Sequence, residues 1–279
     1  SGEADGELRG VDPAGSGSGP AVSGLASSPV TATASLLWAL ADDDFVLGFT
    51  DSEWTGIAPH LEEDVAMSSM AQDELGHAAA YYRLLADLVG GDPDQLAYDR
   101  PASALRHCRL LDHGRGDWAR TMARRWLYDT ANAVRLDALA GSSDRPLAEL
   151  AGKVRREESY HLAHDEAWIE RLAGHAGEPR ARLIAALELV GPDAPSVLAP
   201  LADERALLGT GVLPVGGAEL RARWLARLEP VLERSGLRLP APKPDATDAA
   251  TARSGHGPEF EALWSEITSV RRLDPQATW

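Results

Sequence analysis

The chain has 279 residues, 44% hydrophobic and 25% charged, an ordinary globular composition with room for one large domain or one domain and an appendage. Its formal net charge of −16 disfavours nucleic acid and anionic membrane surfaces as partners, while a local basic pocket for an anionic small molecule stays open. The single cysteine, Cys108, excludes an intramolecular disulfide and any Cys-rich zinc or iron–sulfur site; it reads as a packed, inert thiol in a reducing cytoplasm.

Residues 1–28 are rich in Gly, Ser, Ala and Pro and cannot bury enough apolar surface to order themselves, so a flexible N-terminal arm is expected. This stretch lacks a basic region followed by an apolar run, so no secretory signal is expected. No apolar run reaches the roughly 18–20 residues that span a bilayer. Four long segments with helical periodicity follow, at 31–52, 59–89, 116–140 and 146–174. Pro59 is placed in the first turn of the second segment, and Gly90-Gly91-Asp92-Pro93 stops it. A shorter element is expected near 102–111. Beyond residue 174 the pattern weakens, with helices expected at 179–189, 217–235 and 257–272 and a Pro-rich loop at 237–255. No stretch alternates like a half-buried strand. The expected fold is all-α: a ferritin-like four-helix bundle over 29–176 and a helical extension over 177–279 packed on it.

Each long helix carries an acid where its apolar stripe should run. The lines are Leu37, Leu40, Asp44, Leu47; Met67, Met70, Glu74, His77, Tyr81; Met122, Trp126, Asp129, Ala133, Leu136; and Ala151, Val154, Glu158, His161, Asp165, Trp168. Steps of three and four keep each line on one helix face. A carboxylate flanked by Leu or Trp one turn away points into the core, where a charge is costly unless it is paired or binds metal. Glu74-x-x-His77 and Glu158-x-x-His161 each turn two ligands the same way. Asp44 precedes Glu74 by 30 positions and Asp129 precedes Glu158 by 29, so two similar helix pairs each supply an acid and then Glu-x-x-His. That is the ligand arrangement of carboxylate-bridged di-iron and di-manganese bundles. Carboxylate with imidazole suits iron, or manganese, better than a soft metal. The expected metal ligands are Asp44, Glu74, His77, Asp129, Glu158 and His161.

Register is open at several places. Asp43 competes with Asp44; Asp73 and Glu157 neighbour Glu74 and Glu158, and only the histidine partners select between them. His164 is read as a residue behind the ligands or at the surface. His60, His107, His113, His175 and His256 have no ligand spacing. The tryptophans are read as packing residues, with Trp126 also a candidate for lining a substrate cavity. Arg83, Arg106, Arg120, Arg124 and Arg125 are read as solvated or surface-paired rather than as phosphate contacts.

Ser52-Glu53-Trp54 through Ala58-Pro59 to Glu62-Glu63-Asp64 resembles the approach to the second helix in subunits of the bacterial phenylacetyl-CoA epoxidase family, multicomponent di-iron monooxygenases. Residues 217–240 and the tail from Gly255-His256 to Asp274-Pro275 and Trp279 are similar to the smaller, non-catalytic subunit of that family, which has lost part of its metal set. Gln72-Asp73-Glu74-Leu75-Gly76-His77 and Arg156-Glu157-Glu158-Ser159-Tyr160-His161 instead resemble the catalytic subunit, whose first-helix Glu falls on Asp44 and third-helix Asp on Asp129. The resemblance implies a monooxygenase that uses two iron ions to epoxidise or hydroxylate an organic substrate, with an aromatic acyl-CoA as the substrate class. It also implies a homo-oligomer or a homologous partner subunit. With no dinucleotide motif and no cysteine set, electrons must come from a separate reductase. The alternatives are a non-catalytic scaffold subunit of such a complex and a metal-storage or ferroxidase protein.

Overall fold

The computed structural model describes Gly2 and residues 29–274; the expected N-terminal arm and the last five residues of the tail otherwise lie outside them. The described residues are all-α, with no strand. The helices are α1 (Pro29–Ser52), α2 (Leu61–Val89), α3 (Pro93–Tyr98), α4 (Trp118–Leu139), α5 (Arg145–Gly174), α6 (Glu178–Val190), α7 (Glu204–Thr210), α8 (Gly217–Ser235), α9 (Pro258–Ile267) and α10 (Ser269–Leu273). The ferritin-like bundle is α1, α2, α4 and α5. Helix α1 packs along α2, α4 along α5, and α2 meets α5 across the middle. No helix among the described residues is long and apolar enough to cross a membrane.

Caps explain where the long helices begin. Asp117 accepts from the Arg120 N–H and Asp144 from the Leu147 N–H, each supplying an oxygen to the open first turn. Pro59 falls outside α2, which starts at Leu61. The preceding turn at Gly56 has φ +85° and donates its N–H to Asp64 Oδ1 at 2.7 Å, so the chain is still reversing direction when it passes Pro59. The short element near residue 102 consists of two 3-10 turns, Ala102–Ala104 and Arg109–Asp112. Helices α3 and α7, and the 3-10 stretch Gly191–Leu198, have too few residues for periodicity to reveal.

Helices α2 and α5 bury one stripe each, whereas α1 and α4 are buried nearly all round. For α4 the reason is enclosure by α5, α6, α8 and the Gly191–Leu198 stretch. At the α1–α2 contact sits Gly48. A Cβ there would lie 2.8 Å from Leu75 Cγ and 3.1 Å from Glu74 Cβ, so only glycine lets α1 come this close to the helix that carries Glu74 and His77.

Candidate metal centre

All six expected ligands are buried in the middle of the bundle. Asp44, Glu74 and His77 bring one ligand atom each within 4.8 Å of one another, and so do Glu74, Glu158 and His161. Glu74 and Glu158 belong to both sides. Glu74 turns Oε2 to His77 Nδ1 at 3.7 Å and Oε1 to His161 Nδ1 at 3.3 Å. Glu158 turns Oε1 to His77 Nδ1 at 3.5 Å and Oε2 to His161 Nδ1 at 3.7 Å. Two ligands at right angles, each about 2.1 Å from one ion, stand about 3 Å apart, so these gaps are close to what a shared cation needs. All four carboxylate oxygens and both Nδ1 atoms are buried without a hydrogen-bond partner, as is Asp129 Oδ1. Native interiors leave few polar atoms in that state, and a concentration of them calls for an ion or water. The donor set fits two divalent cations bridged by two carboxylates.

The imidazoles are oriented from behind, and across the bundle. His77 of α2 points Nε2 at Glu157 Oε2 of α5, 2.8 Å away; His161 of α5 points Nε2 at Asp73 Oδ2 of α2, 3.3 Å away. A carboxylate behind the ring selects the Nε2–H tautomer and leaves the Nδ1 lone pair facing inward. Asp73 and Glu157 are thus orienting groups, and Glu74 and Glu158 are the carboxylates that face the cluster.

On α1, three consecutive aspartates cannot share a face, because each step turns the helix by about 100°. Asp42 accepts from Arg100, Tyr82 and the Arg106 N–H. Asp43 accepts from Arg135, Arg253 and the Cys108 N–H. Asp44 alone turns to the cluster, where Tyr128 donates to its Oδ1 at 2.8 Å. Asp129 is held differently. Arg125, four residues earlier on α4, donates to Asp129 Oδ2 at 2.9 Å, and its Nη2 lies 3.5 Å from Glu74 Oε1. The same guanidinium hydrogen-bonds Asp51 and reaches Asp165 at 3.5 Å, and Arg124 donates to Asp51 at 2.8 Å. Asp129 is not in either convergent group among the described residues.

Protonation follows from crowding. Burial alone would hold the His77 imidazole neutral, but the Glu158 and Glu74 carboxylates beside it win and push its pKa up to about 11. His161 is likewise raised to about 12, burial being outweighed by Glu158 and Glu74. Burial and the neighbouring Glu74 raise the Asp44 carboxyl far above its usual range; burial does the same to Asp129 despite Arg125. Without cations the cluster therefore gathers protons in their place, and divalent ions must displace them.

Arg124 and Arg125 correct the sequence reading: both are fully buried rather than solvated. The signal was available, since Asp51 sits seven residues past Asp44 and Arg125 four before Asp129, each on the inward face. Arg83 and Arg106 are exposed, and Arg120 pairs with Glu259 at 2.6 Å. His164 stands behind the ligands, bridging Asp165 and Glu63 at 3.3 and 2.7 Å. Trp54, Trp126 and Trp168 are buried, and Trp38 and Trp118 half-buried. Cys108 is buried, and burial pushes its thiol pKa far up, as an inert residue requires. His107 and His256, distant in sequence, meet on Asp112 at 2.8 and 2.9 Å. Their rings stack 3.7 Å apart at 15°, and one ring nitrogen of each converges with Asp112 to within 4.8 Å; the contact clamps the 105–112 loop to the segment before α9.

Comparison with known proteins settles the lineage. Residues 25–279 match the family described as phenylacetic acid catabolic protein. The chain belongs to this family. Among curated members, the C-type subunit of 1,2-phenylacetyl-CoA epoxidase from Escherichia coli K12 is 28% identical over 247 residues, 86% of this chain and 96% of the relative. The A-type subunit of the same epoxidase is 24% identical over 234 residues, 82% of this chain and 74% of the relative. The resemblance to phenylacetyl-CoA epoxidase subunits seen in the sequence, and its leaning toward the smaller C-type subunit, are borne out.

Proposed function

We propose that this chain is the oxygenase component of a phenylacetyl-CoA epoxidase-like system, holding two iron ions between α1, α2, α4 and α5. The observation that carries this reading is the pair Glu74 and Glu158, each offering one unpartnered buried oxygen to His77 and the other to His161. Asp44, Glu74, Glu158 and His77 would hold one ion, and Asp129, Glu74, Glu158 and His161 the other. Reduced, such a pair supplies oxygen activation for insertion of one oxygen atom into an organic substrate; an aromatic acyl-CoA is the class the relatives' name suggests.

The chain's own residues define the setting. Glu157 and Asp73 hold both imidazoles by Nε2, which leaves each Nδ1 facing the site where the ions would be held. Leu40, Leu47, Met67, Met70, Trp126 and Val154, on the same helix faces as the ligands, are buried, the setting a water-excluding site requires. No dinucleotide-binding motif or cysteine set is present in the sequence, so electrons come from a separate reductase.

A second reading, a scaffold subunit supporting a catalytic relative, is favoured by two observations. The match to the C-type subunit is longer and more complete than that to the A-type subunit. Arg125 also occupies one oxygen of Asp129. Metal content after anaerobic ferrous reconstitution decides between them. About two irons per chain, lost in Glu74→Ala and reduced in His161→Ala, supports the oxygenase; turnover of phenylacetyl-CoA with reductase and oxygen completes the case. A chain that stays iron-free supports the scaffold.

A further inference from the structure

The two sides of the cluster share one plan. Each has a shared pair of glutamates, an inward Nδ1 and a carboxylate behind the imidazole from the opposite helix. They differ in what holds the remaining acid. Asp44 accepts from a neutral phenol, Tyr128. The nearby guanidinium, Arg135, stands one residue further off, donating to the Tyr128 oxygen at 3.1 Å and to Asp43 at 2.9 Å. Asp129 accepts directly from a guanidinium, and that Arg125 also lies 3.5 Å from Glu74 Oε1, the oxygen facing His161. Arg125 is a cation already inside the second position.

We propose that Arg125 makes the two metal positions unequal, so that a first divalent ion loads at Asp44 and His77, and a second enters at Asp129 and His161 only as Arg125 gives up Asp129 and Glu74. The inference rests on the metal-binding reading above. Arg125 has somewhere to go: Asp51 and Asp165 already contact it, and both are buried, so the withdrawn guanidinium keeps paired carboxylates and is not stranded. The side with a phenol carries no such exchange. Its acid is released by breaking one neutral-donor hydrogen bond. At the second position Asp129 has Oδ1 free but Oδ2 held by Arg125. Engaging both oxygens breaks a charge-assisted hydrogen bond, and a divalent ion there stands beside a fixed positive charge; both weaken it. A gap of roughly ten- to hundred-fold between the two affinities follows from the cost of giving up a hydrogen bond of that class.

Glu74 becomes the communicating residue. One of its oxygens serves the first position and the other faces both His161 and Arg125. Drawing Glu74 toward an ion at the first position loosens its contact with Arg125. Filling the first position therefore prepares the second, which orders the loading as well as separating the affinities.

The test uses Mn²⁺ as the probe on the full-length, metal-free chain, followed by calorimetry and by electron paramagnetic resonance. The wild type is expected to show two steps. At one equivalent the spectrum is that of isolated Mn²⁺, and coupled signals grow only toward two equivalents. Coupled signals from the first addition, or a single two-ion step, overturn the proposal. Arg125→Gln is expected to bring the two steps within a few-fold of each other by strengthening the second; an unchanged gap overturns it. Because Arg125→Gln leaves four buried carboxylates short of a partner and can fail to fold, two histidine variants carry the same question. His161→Ala is expected to keep the first equivalent within a few-fold of wild type, and His77→Ala to lose it. Equal losses in both overturn the ordering. Tight binding of two equal ions in the wild type sinks only this inference. No Mn²⁺ bound by the wild type sinks the metal reading itself and this inference with it.

Discussion

The α1–α2 and α4–α5 halves of the bundle carry the same instruction, an inward acid followed by Glu-x-x-His, but are packed on opposite principles. In the first half the acid is one of three neighbours, Asp42, Asp43 and Asp44, and the other two are neutralised by arginines arriving from elsewhere in the chain: Arg100, Arg135 and Arg253. In the second half the acid stands alone, and the cation beside it comes from one turn away on its own helix, Arg125. A ligand position is thus set by more than its own side chain. Where the surplus acids on α1 draw the arginines to themselves, the ligand is left with a neutral phenol. Where there is no surplus, the arginine falls on the ligand.

The comparison can be broken most forcibly at Arg125. Arg125→Leu leaves Asp51, Asp129 and Asp165 buried with too little positive charge, and removing one partner of such a buried network costs about 3–5 kcal/mol. Urea unfolding of the metal-free protein should show a loss toward the upper end, and a loss under 1 kcal/mol would mean the network is not worth what its burial implies. Asp43→Asn should cost about 3 kcal/mol by leaving Arg135 and Arg253 with one neutral partner. Its pH dependence has a definite sign. Burial would raise the Asp43 pKa, but Arg253 and Arg135 prevail and hold it below its ordinary value. A depressed carboxylate stabilises the fold above its unfolded pKa of about 3.9 and loses that contribution as pH falls through the lower folded value. The gap between wild type and Asp43→Asn should be full at neutral pH and narrow below about pH 4.

Smaller effects sharpen the likeness between the halves. Removing a carboxylate behind a metal-bound imidazole weakens affinity by about 10–100-fold. Glu157→Ala should fall in that range for the His77 side, and Asp73→Ala should do less for the His161 side, its contact being 3.3 Å against 2.8 Å. Metal titration of both variants reads the difference; no loss in either would argue that the backing carboxylates are not what orients the rings, and equal losses that contact length does not grade the effect. Tyr128→Phe removes one hydrogen bond to Asp44 and should cost about 1 kcal/mol, measurable by thermal melting at neutral pH.

Much of this was legible in the sequence. The four long helices appear within a few residues of their observed ends, and all four stripes, with the six residues expected as ligands, face inward, because a step of three or four residues determines a helix face without reference to any neighbour. Asp44 could be preferred to Asp43 from its alignment with Leu37 and Leu40. What escaped notice depends on distant encounters. Arg253 lies in a Pro-rich segment that reads as a linker, yet it is buried against Asp43 on α1, 210 positions away. The orienting roles of Asp73 and Glu157 come from helices crossing, and only the relative placement of α2 and α5 reveals them. Arg124 and Arg125 read as surface residues because α4, unlike a one-sided amphipathic helix, is enclosed nearly all round, and their partners Asp51, His113 and Asp165 come from distant parts of the chain or from the loop before α4.

The crossed backing of the imidazoles has a mechanical consequence. His77 takes its bearing from α5 and His161 takes its bearing from α2, so neither helix fixes the aim of its own ligand. The gap between α2 and α5 becomes a single adjustment to which both imidazoles answer together. A molecule or partner that wedges these two helices apart, even slightly and at a distance from the cluster, would detune the two positions at the same moment, whereas a displacement of α1 or α4 would reach only one.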